Sequence, residues 1–488
     1  MKILLCCEFY YPSKGGVQKV MQEIAEHLVS YGHHVTVATS ILKERTDFQL
    51  NGVAIKEFSI SGNQVRGING EITAYQNFLI ESDFDVILIK AAQQWTFDAL
   101  WTCLEQIRAR KVFIPCGFSC LYEPSYQDYF KKLPDILRKF DHLIFYSTDY
   151  RDINFAKENG ISHYSILPNG ASHKEFNPPA TNNIRKRLGI NDDEILLLTV
   201  GSFTGLKGHI EVANAFLNLN IPQKKMTLLL NGNMTQEHET DYIKASERFR
   251  IYNQPHETDS IKASERFNIL KNILNWIKCL PPIFAFSNFI PRIKHIIKVL
   301  LHTLGIKYGS PLNSQENLFY QLCAFFPILT LFSYRNSSSD FSATFPIILA
   351  ELVHKVKNTG QKRIIINNLN REDVIKAFFS ADLFIFASNV EYSPLVLFEA
   401  AAAGLPYVTV PVGNSVEITQ WTKGGIICEA PKDKFGYTRV DPVKLALTIK
   451  DLLDDPARLQ ELGQAGRRNW EEKFTWEIIS RQYEKILS

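Results

Sequence analysis

Ten residues of the sequence, EYSPLVLFEA from Glu391 to Ala400, place two carboxylates eight positions apart around a small apolar run. Ser393 followed by Pro394 predicts a helix start, a capping hydroxyl and then proline at the first helical position. The amides of Leu395, Val396 and Leu397 would then point out of the helix end. Such an end is a ready anion site, worth most to a phosphate. Glu391 would lie in the loop before the helix and accept sugar hydroxyls. Glu399, in the second helical turn, would accept a ribose diol, which gives a buried carboxylate its hydrogen bonds. The plainer alternative pairs Glu399 with an arginine inside the fold and leaves Glu391 solvated.

Two other stretches carry matching chemistry. VGSFTGLKGH (200–209) reads as a strand, a loop with Gly201 and Gly205, and a helix that Lys207 opens. A lysine there can reach a phosphate held over the sheet. PSKGGVQKV (12–20) puts Gly15-Gly16 at another helix start, where backbone without side chains lets a ligand come close. The dinucleotide fingerprint GxGxxG is absent. Asp83-Phe84-Asp85 spells DxD, but it leads into an early strand, and no metal is expected there.

These residues need strands and helices to position them. Lys2–Cys7 is an apolar run of strand length. Gly16 to Ser30 has apolar residues at helical spacing, and Gly32 closes that helix. Strands follow at His34–Thr39, Asp85–Ile89, Lys111–Pro115 and His142–Ser147. Ile166–Pro179 is a turn-rich link, after which the pattern starts again. Glu194–Gly201 is a strand, Lys207–Leu219 a helix and Met226–Leu230 a strand. The alternation resumes with strand Arg363–Asn367, helix Arg371–Phe379, strand Asp382–Ala387, helix Pro394–Ala403 and strand Tyr407–Val410. The expected class is α/β, with two doubly wound domains of parallel strands. Parallel sheets bind ligands at the carboxyl ends of their strands, which is where Glu391 would sit.

Composition narrows the rest. The chain has 488 residues, 45% hydrophobic and 22% charged, which fits a multidomain globular protein. Its net charge of +3 gives no whole-chain attraction to nucleic acid. Eight scattered cysteines show neither CxxC nor metal-ligand spacing and read as reduced thiols of a cytosolic protein. The N-terminus has no small-residue cleavage site, so no signal peptide is expected.

Residues 234–361 fit the alternation poorly and read as an insertion. HETDYIKASERF (238–249) returns as HETDSIKASERF (256–267), a duplication suited to a tolerant surface loop. From Phe267 to Gln315 there is no Asp or Glu, while lysines, Arg292, Trp276 and phenylalanines recur. That stretch suits an anionic membrane surface. Leu318–Tyr334 is nearly all apolar, but Gln321 and Pro327 interrupt its 17 residues, the lower limit for a span. Contact with a membrane surface through 268–335 and a separately packed subdomain both fit.

KGGVQKV, LPNG (167–170), VG…KGH and SNVEYSPLVLFEAAAAGLPYVTVPVGN (388–414) together resemble retaining glycosyltransferase family 4, of GT-B fold. The resemblance covers about 1–233 and 362–488. It implies an acceptor-binding Rossmann-like domain over 1–178 and a nucleotide-sugar-binding one over 179–470. It also implies a last helix, 471–488 with Trp476, that crosses back to the first domain. The implied activity is sugar transfer from a nucleotide-diphosphate sugar to a glycan or lipid-linked acceptor, with retention and without metal or other cofactor. Surface polysaccharide or glycolipid synthesis is the implied setting, in the cytoplasm or on the inner face of the cell membrane. Lys207 would neutralise the diphosphate near the Leu395 and Val396 amides, in the Ser393-Pro394 helix start. Glu391 would hold the donor sugar, Glu399 the ribose, and Gly15 and Gly16 the diphosphate from the other domain. Gly201 and Ser202 would line the donor side. Three departures stand out: Cys116 replaces a frequent histidine, Ser202 a frequent arginine, and Ala171-Ser172 end a motif that usually has aspartate. A nucleotide-sugar epimerase and a non-catalytic member of a glycan-assembly complex are the rival readings.

Overall fold

The computed structural model describes residues 1–252, 338–357, 359–434 and 436–488. The membrane contact expected of 268–335, the apolar run 318–334 and the second repeat copy all lie outside the described residues. The first copy lies within the helix Gln236–Tyr252. The chain forms two compact units, Met1–Thr240 with Ile348–Ser488, and Asp241–Ile347. The described part of the second unit is helical, the rest of Gln236–Tyr252 and the start of Ser338–Lys357.

The first unit is built on two main sheets. One has eight strands in the spatial order Tyr164–Ile166, His142–Phe145, Arg110–Ile114, Val86–Lys90, Lys2–Cys6, His34–Ser40, Val53–Phe58, Gln49–Leu50. All pairings are parallel except the last. Its central strands are apolar on both faces (ILLC, VILIK) because helices cover both sides. The sheet grows outward in both directions from Lys2–Cys6. Its topological switch point therefore lies between Lys2–Cys6 and Val86–Lys90, where Ile3 pairs with Val86.

The second sheet has six parallel strands. Their order is Lys362–Asn367, Met226–Asn231, Ile195–Val200, Leu383–Phe386, Tyr407–Thr409, Gly425–Ile427. By chain order that is third, second, first, fourth, fifth, sixth, the Rossmann arrangement. The switch point falls between Ile195–Val200 and Leu383–Phe386, registered by Leu197 opposite Leu383.

Helices follow where the sequence predicts them, with shifted ends. Gly16–Ser30 buries Val20, Met21, Ile24, Ala25 and Leu28 against the first sheet. It ends as expected at Gly32: the Gly32 N–H reaches the Val29 carbonyl and the His33 N–H the Leu28 carbonyl. Trp476–Leu487, capped by the Thr475 hydroxyl, buries Trp476, Ile479, Tyr483 and Leu487 in that same first-sheet core. Among the described residues no helix is long and apolar enough to cross a membrane.

Candidate active site

Both switch points open at the carboxyl ends of their strands, and Gly201, Ser202, Lys207, Glu391 and Ser393 sit on the loops of the second sheet there. The loop 201–208 follows Ile195–Val200, and the loop 387–394 follows Leu383–Phe386. The two are laced together. The Asn389 N–H donates to the Leu206 carbonyl at 2.9 Å, and the Ser388 hydroxyl donates to the same oxygen at 3.2 Å. Gly208, at φ 74°, makes this possible, since a Cβ there would lie 1.9 Å from the Ala387 carbonyl oxygen. Lys207 and Glu391, 184 positions apart in sequence, form an ion pair across the laced loops. The Lys207 stem packs beside Gly201, whose Cβ position lies 3.4 Å from the Lys207 Cβ, an ordinary contact.

The helix expected at Pro394 runs over Leu395–Ala402. Two details need correction. Pro394, with φ −70° and ψ 114°, is itself the capping residue, and the Ser393 side chain makes no cap bond. The proline ring fixes an extended entry that leaves the Ser393 hydroxyl buried without a partner, while the Ser393 carbonyl accepts from Asn169 at 3.2 Å. Second, Lys207 does not open its helix. That helix is His209–Asn218, because the left-handed Gly208 delays it. The N–H groups of Leu395 and Val396 still lack intrahelical acceptors by helix geometry.

The first sheet brings Gly15 and Gly16 to this place. Gly15 is the extended cap of Gly16–Ser30, and both glycines are exposed. A Cβ built on Gly16 would meet only the Leu395 side chain, at 3.9 Å. Two helix starts, one from each sheet, therefore face a common point with nothing bulkier than hydrogen on one of them.

Glu399 is buried, and it pairs with an arginine as the plainer alternative had it: Arg371 Nη2 lies 2.7 Å from its Oε1. Arg371 also meets Glu175 at 2.8 Å. His209 opens the helix that follows Lys207. It is buried and stacked on Phe203 at 4.3 Å, and burial holds its ring neutral, with a pKa lowered to about 3. Asp83 and Asp85 lie at the amino end of the first sheet, against Lys2, away from the carboxyl-end loops.

Sequence reasoning missed an aromatic lock beside Glu391. Tyr392 stacks on Tyr150 at 4.7 Å, and its hydroxyl accepts from the Tyr146 N–H at 3.1 Å. The Tyr150 hydroxyl donates to the Glu391 carbonyl at 2.7 Å. Tyr392 covers Cys116-Gly117, where Gly117 has φ 94° and a Cβ would sit 3.0 Å from the tyrosine ring. The Gly117 N–H donates to Asp152 at 2.8 Å, and burial raises the Asp152 carboxyl to about 6 although the Tyr392 and Gly117 bonds oppose it. Glu417 adds a second tie, accepting from the Thr148 N–H at 2.8 Å and from the Ser147 and Thr148 hydroxyls. The signal available was the tyrosine between Glu391 and Ser393, too large for a loop meant only to expose a carboxylate. A shallow hollow of about 650 Å³ beside His27, Tyr31, Glu477 and Arg481 holds none of these residues.

Two doubly wound sheets whose switch points face each other through such loops define a GT-B fold. Residues 350–469, which include Glu391 and Glu399, match the family model described as glycosyl transferases group 1. Among solved structures, sucrose-phosphate synthase from Thermosynechococcus elongatus superposes with a TM-score of 0.60 over 99% of this chain and 98% of its own, at 16% identity. Anabaena Alr3699/HepE in complex with UDP-glucose gives 0.56 over 100% and 99%, at 13% identity. Sequence relatives include a glycogen synthase of Mycobacterium tuberculosis, 31% identical over 115 residues, 24% of this chain and 26% of the relative. A GDP-mannose-dependent monoacylated alpha-(1-6)-phosphatidylinositol monomannoside mannosyltransferase of Corynebacterium glutamicum is 27% identical over 157 residues, 31% of this chain and 37% of the relative. The chain thus spans about a quarter to a third of the curated relatives it matches.

Proposed function

We propose that this chain is a retaining glycosyltransferase that moves a sugar from a nucleotide-diphosphate sugar to a glycan or lipid-linked acceptor. The observation that carries the reading is the Lys207–Glu391 pair at one switch point, beside a helix start that Gly16 approaches from the other sheet. Lys207 and the Leu395 and Val396 amides stabilise the departing diphosphate, with Gly15 and Gly16 on its other side. Glu391 accepts donor-sugar hydroxyls and Glu399 the ribose. Gly201 and Ser202 line the strand end beneath them. The bond from the anomeric carbon to the phosphate oxygen breaks while a bond to the acceptor oxygen forms on the same face. The acceptor proton passes to the leaving diphosphate oxygen. Fixed positive charge and positioning supply most of the rate, so this scheme calls for no divalent ion.

A thermal-shift screen of nucleotide sugars tests the donor site, because a ligand that binds only the folded state raises the melting temperature. At a concentration about 100 times Kd the gain is about 2.7 kcal/mol. At least one nucleotide sugar is expected to shift Tm, and its nucleoside diphosphate with it. A flat response across uridine, guanosine and adenosine diphosphate sugars would sink the reading.

The setting we propose is synthesis of a surface polysaccharide or glycolipid by a cytoplasmic protein held on the inner membrane face. Two things support it: the acid-free sequence of 268–315, and a relative named for a phosphatidylinositol-linked acceptor. The full chain is expected to float with anionic vesicles, and a variant lacking 268–335 is expected to stay in the soluble fraction. Equal flotation of the two would end the idea.

A further inference from the structure

One turn below the two helix starts runs a chain of charges that the proposed chemistry leaves unused. Lys19, whose N–H bonds the Gly15 carbonyl, lies in the first turn after the glycines. Its ammonium meets Glu23 at 2.7 Å and Glu175 at 3.0 Å. Arg371 meets Glu175 twice, at 2.8 and 3.3 Å, and then meets Glu399 at 2.7 Å. Glu399 lies on the helix that begins at Leu395. The series Glu23, Lys19, Glu175, Arg371, Glu399 thus ties the Gly16 helix to the Leu395 helix through the connecting segment that carries Glu175.

Three features set this apart from a surface ion pair. The Glu399 and Glu23 side chains are only 8% and 10% exposed, so each carboxylate depends on its cation. The guanidinium is divided between two acids, and its planar fork suits that better than an ammonium would. The segment beneath it is fixed as well. Phe176 stacks under Arg371 at 5.6 Å, and the Ala171 N–H donates to the Phe474 carbonyl at 3.0 Å. A carboxylate held this way from one side presents a set direction to whatever approaches from the other.

We infer that Lys19, Glu175 and Arg371 form a positioning relay. It aims Glu399 at the ribose diol and couples that contact to the approach of the Gly15-Gly16 helix. The inference rests on the reading that Glu399 receives a nucleotide ribose. If it holds, weakening the relay at either end costs selectivity for the diol, even at Lys19, which lies three ion pairs away from Glu399.

Calorimetry on the full chain with UDP, GDP and ADP, each beside its 2′,3′-dideoxy counterpart, tests this. The readout is the ratio of dideoxy to ribo Kd. A general loss of packing weakens both ligands and leaves the ratio alone. Lys19→Ala, Glu175→Gln and Arg371→Lys are each expected to lower the wild-type ratio about fivefold or more, a coupling of ordinary size. Glu175→Gln keeps the shape and serves where a larger change fails to fold. An unchanged ratio in Lys19→Ala or Glu175→Gln overturns the relay. Failure of the wild-type chain to bind any of the three diphosphates overturns the underlying donor-site reading instead.

Discussion

Lys207→Ala is expected to lower kcat/KM for the donor by about 10²- to 10³-fold, the loss seen when one preorganised donor to a developing negative charge is removed. The lysine is placed for that task. It projects from a loop held by Gly208 and by the Leu206 carbonyl, at the carboxyl end of the first strand of its sheet. Its only rival task is to neutralise Glu391, whose side chain is 19% exposed. The two tasks separate in a double-mutant cycle. If Lys207 merely balances Glu391, adding Glu391→Gln removes the unpaired charge and restores both stability and turnover. If both groups act on the donor, the double variant recovers melting temperature but not activity. Steady-state kinetics and thermal unfolding of the two single variants and the double variant decide it. Turnover of Lys207→Ala within threefold of the unaltered chain would remove the lysine from the mechanism.

The residues of this site were legible in the sequence to differing depths, and the reason is distance along the chain. Helix Gly16–Ser30 and its glycine stop are local patterns, and both are present. Alternation alone gives the second sheet its parallel, doubly wound class, while its spatial strand order is a tertiary fact. Exact helix starts were not legible. A serine before a proline satisfies the usual capping preference, yet Pro394 takes the cap position and turns the serine hydroxyl away. Gly208 looks like one more loop glycine until the Ala387 carbonyl is found against it. The ion relay was invisible because its members lie 156 and 196 positions apart, and nothing in a single sequence pairs Lys19 or Arg371 with Glu175. The arginine partner of Glu399 was foreseen as a type and not as a residue. Cys116 stands in the sequence where the resembled pattern often has histidine. Its left-handed backbone at φ 63° and the tyrosine over its neighbour are tertiary facts.

Lys90→Met is expected to stabilise the chain below pH 8, and its pH dependence identifies the cause. Lys90 ends a central strand, Val86–Lys90, with its side chain 1% exposed. Its ammonium reaches the Tyr146 hydroxyl and lies 4.9 Å from that ring's centre. Among the described residues no carboxylate forms an ion pair with it. Burial therefore lowers its pKa from 10.5 to about 8, although the Cys116 and Cys7 thiols act in the opposite direction. The sign follows from proton counting. Between pH 8 and 10.5 the unfolded chain holds the proton and the folded chain has released it, so stability rises with pH across that window. Below pH 8 both states are charged, and the full penalty of burying the ammonium is present. A shift of this size corresponds to about 3 kcal/mol, from which the lost hydrogen bond to Tyr146 subtracts about 1. Methionine fills the same volume without charge, so a gain of about 1–3 kcal/mol is expected at pH 7. It should shrink steadily toward pH 10.5. Other groups titrate in this range, including the buried Cys7 and Cys116 thiols, which burial pushes up. They are common to both proteins and largely cancel in the difference. Urea unfolding of the two chains at pH 7, 9 and 10.5 measures it. A variant no more stable than the original at pH 7, or a gain that does not fall with rising pH, would mean that the buried ammonium is stabilised by its surroundings after all.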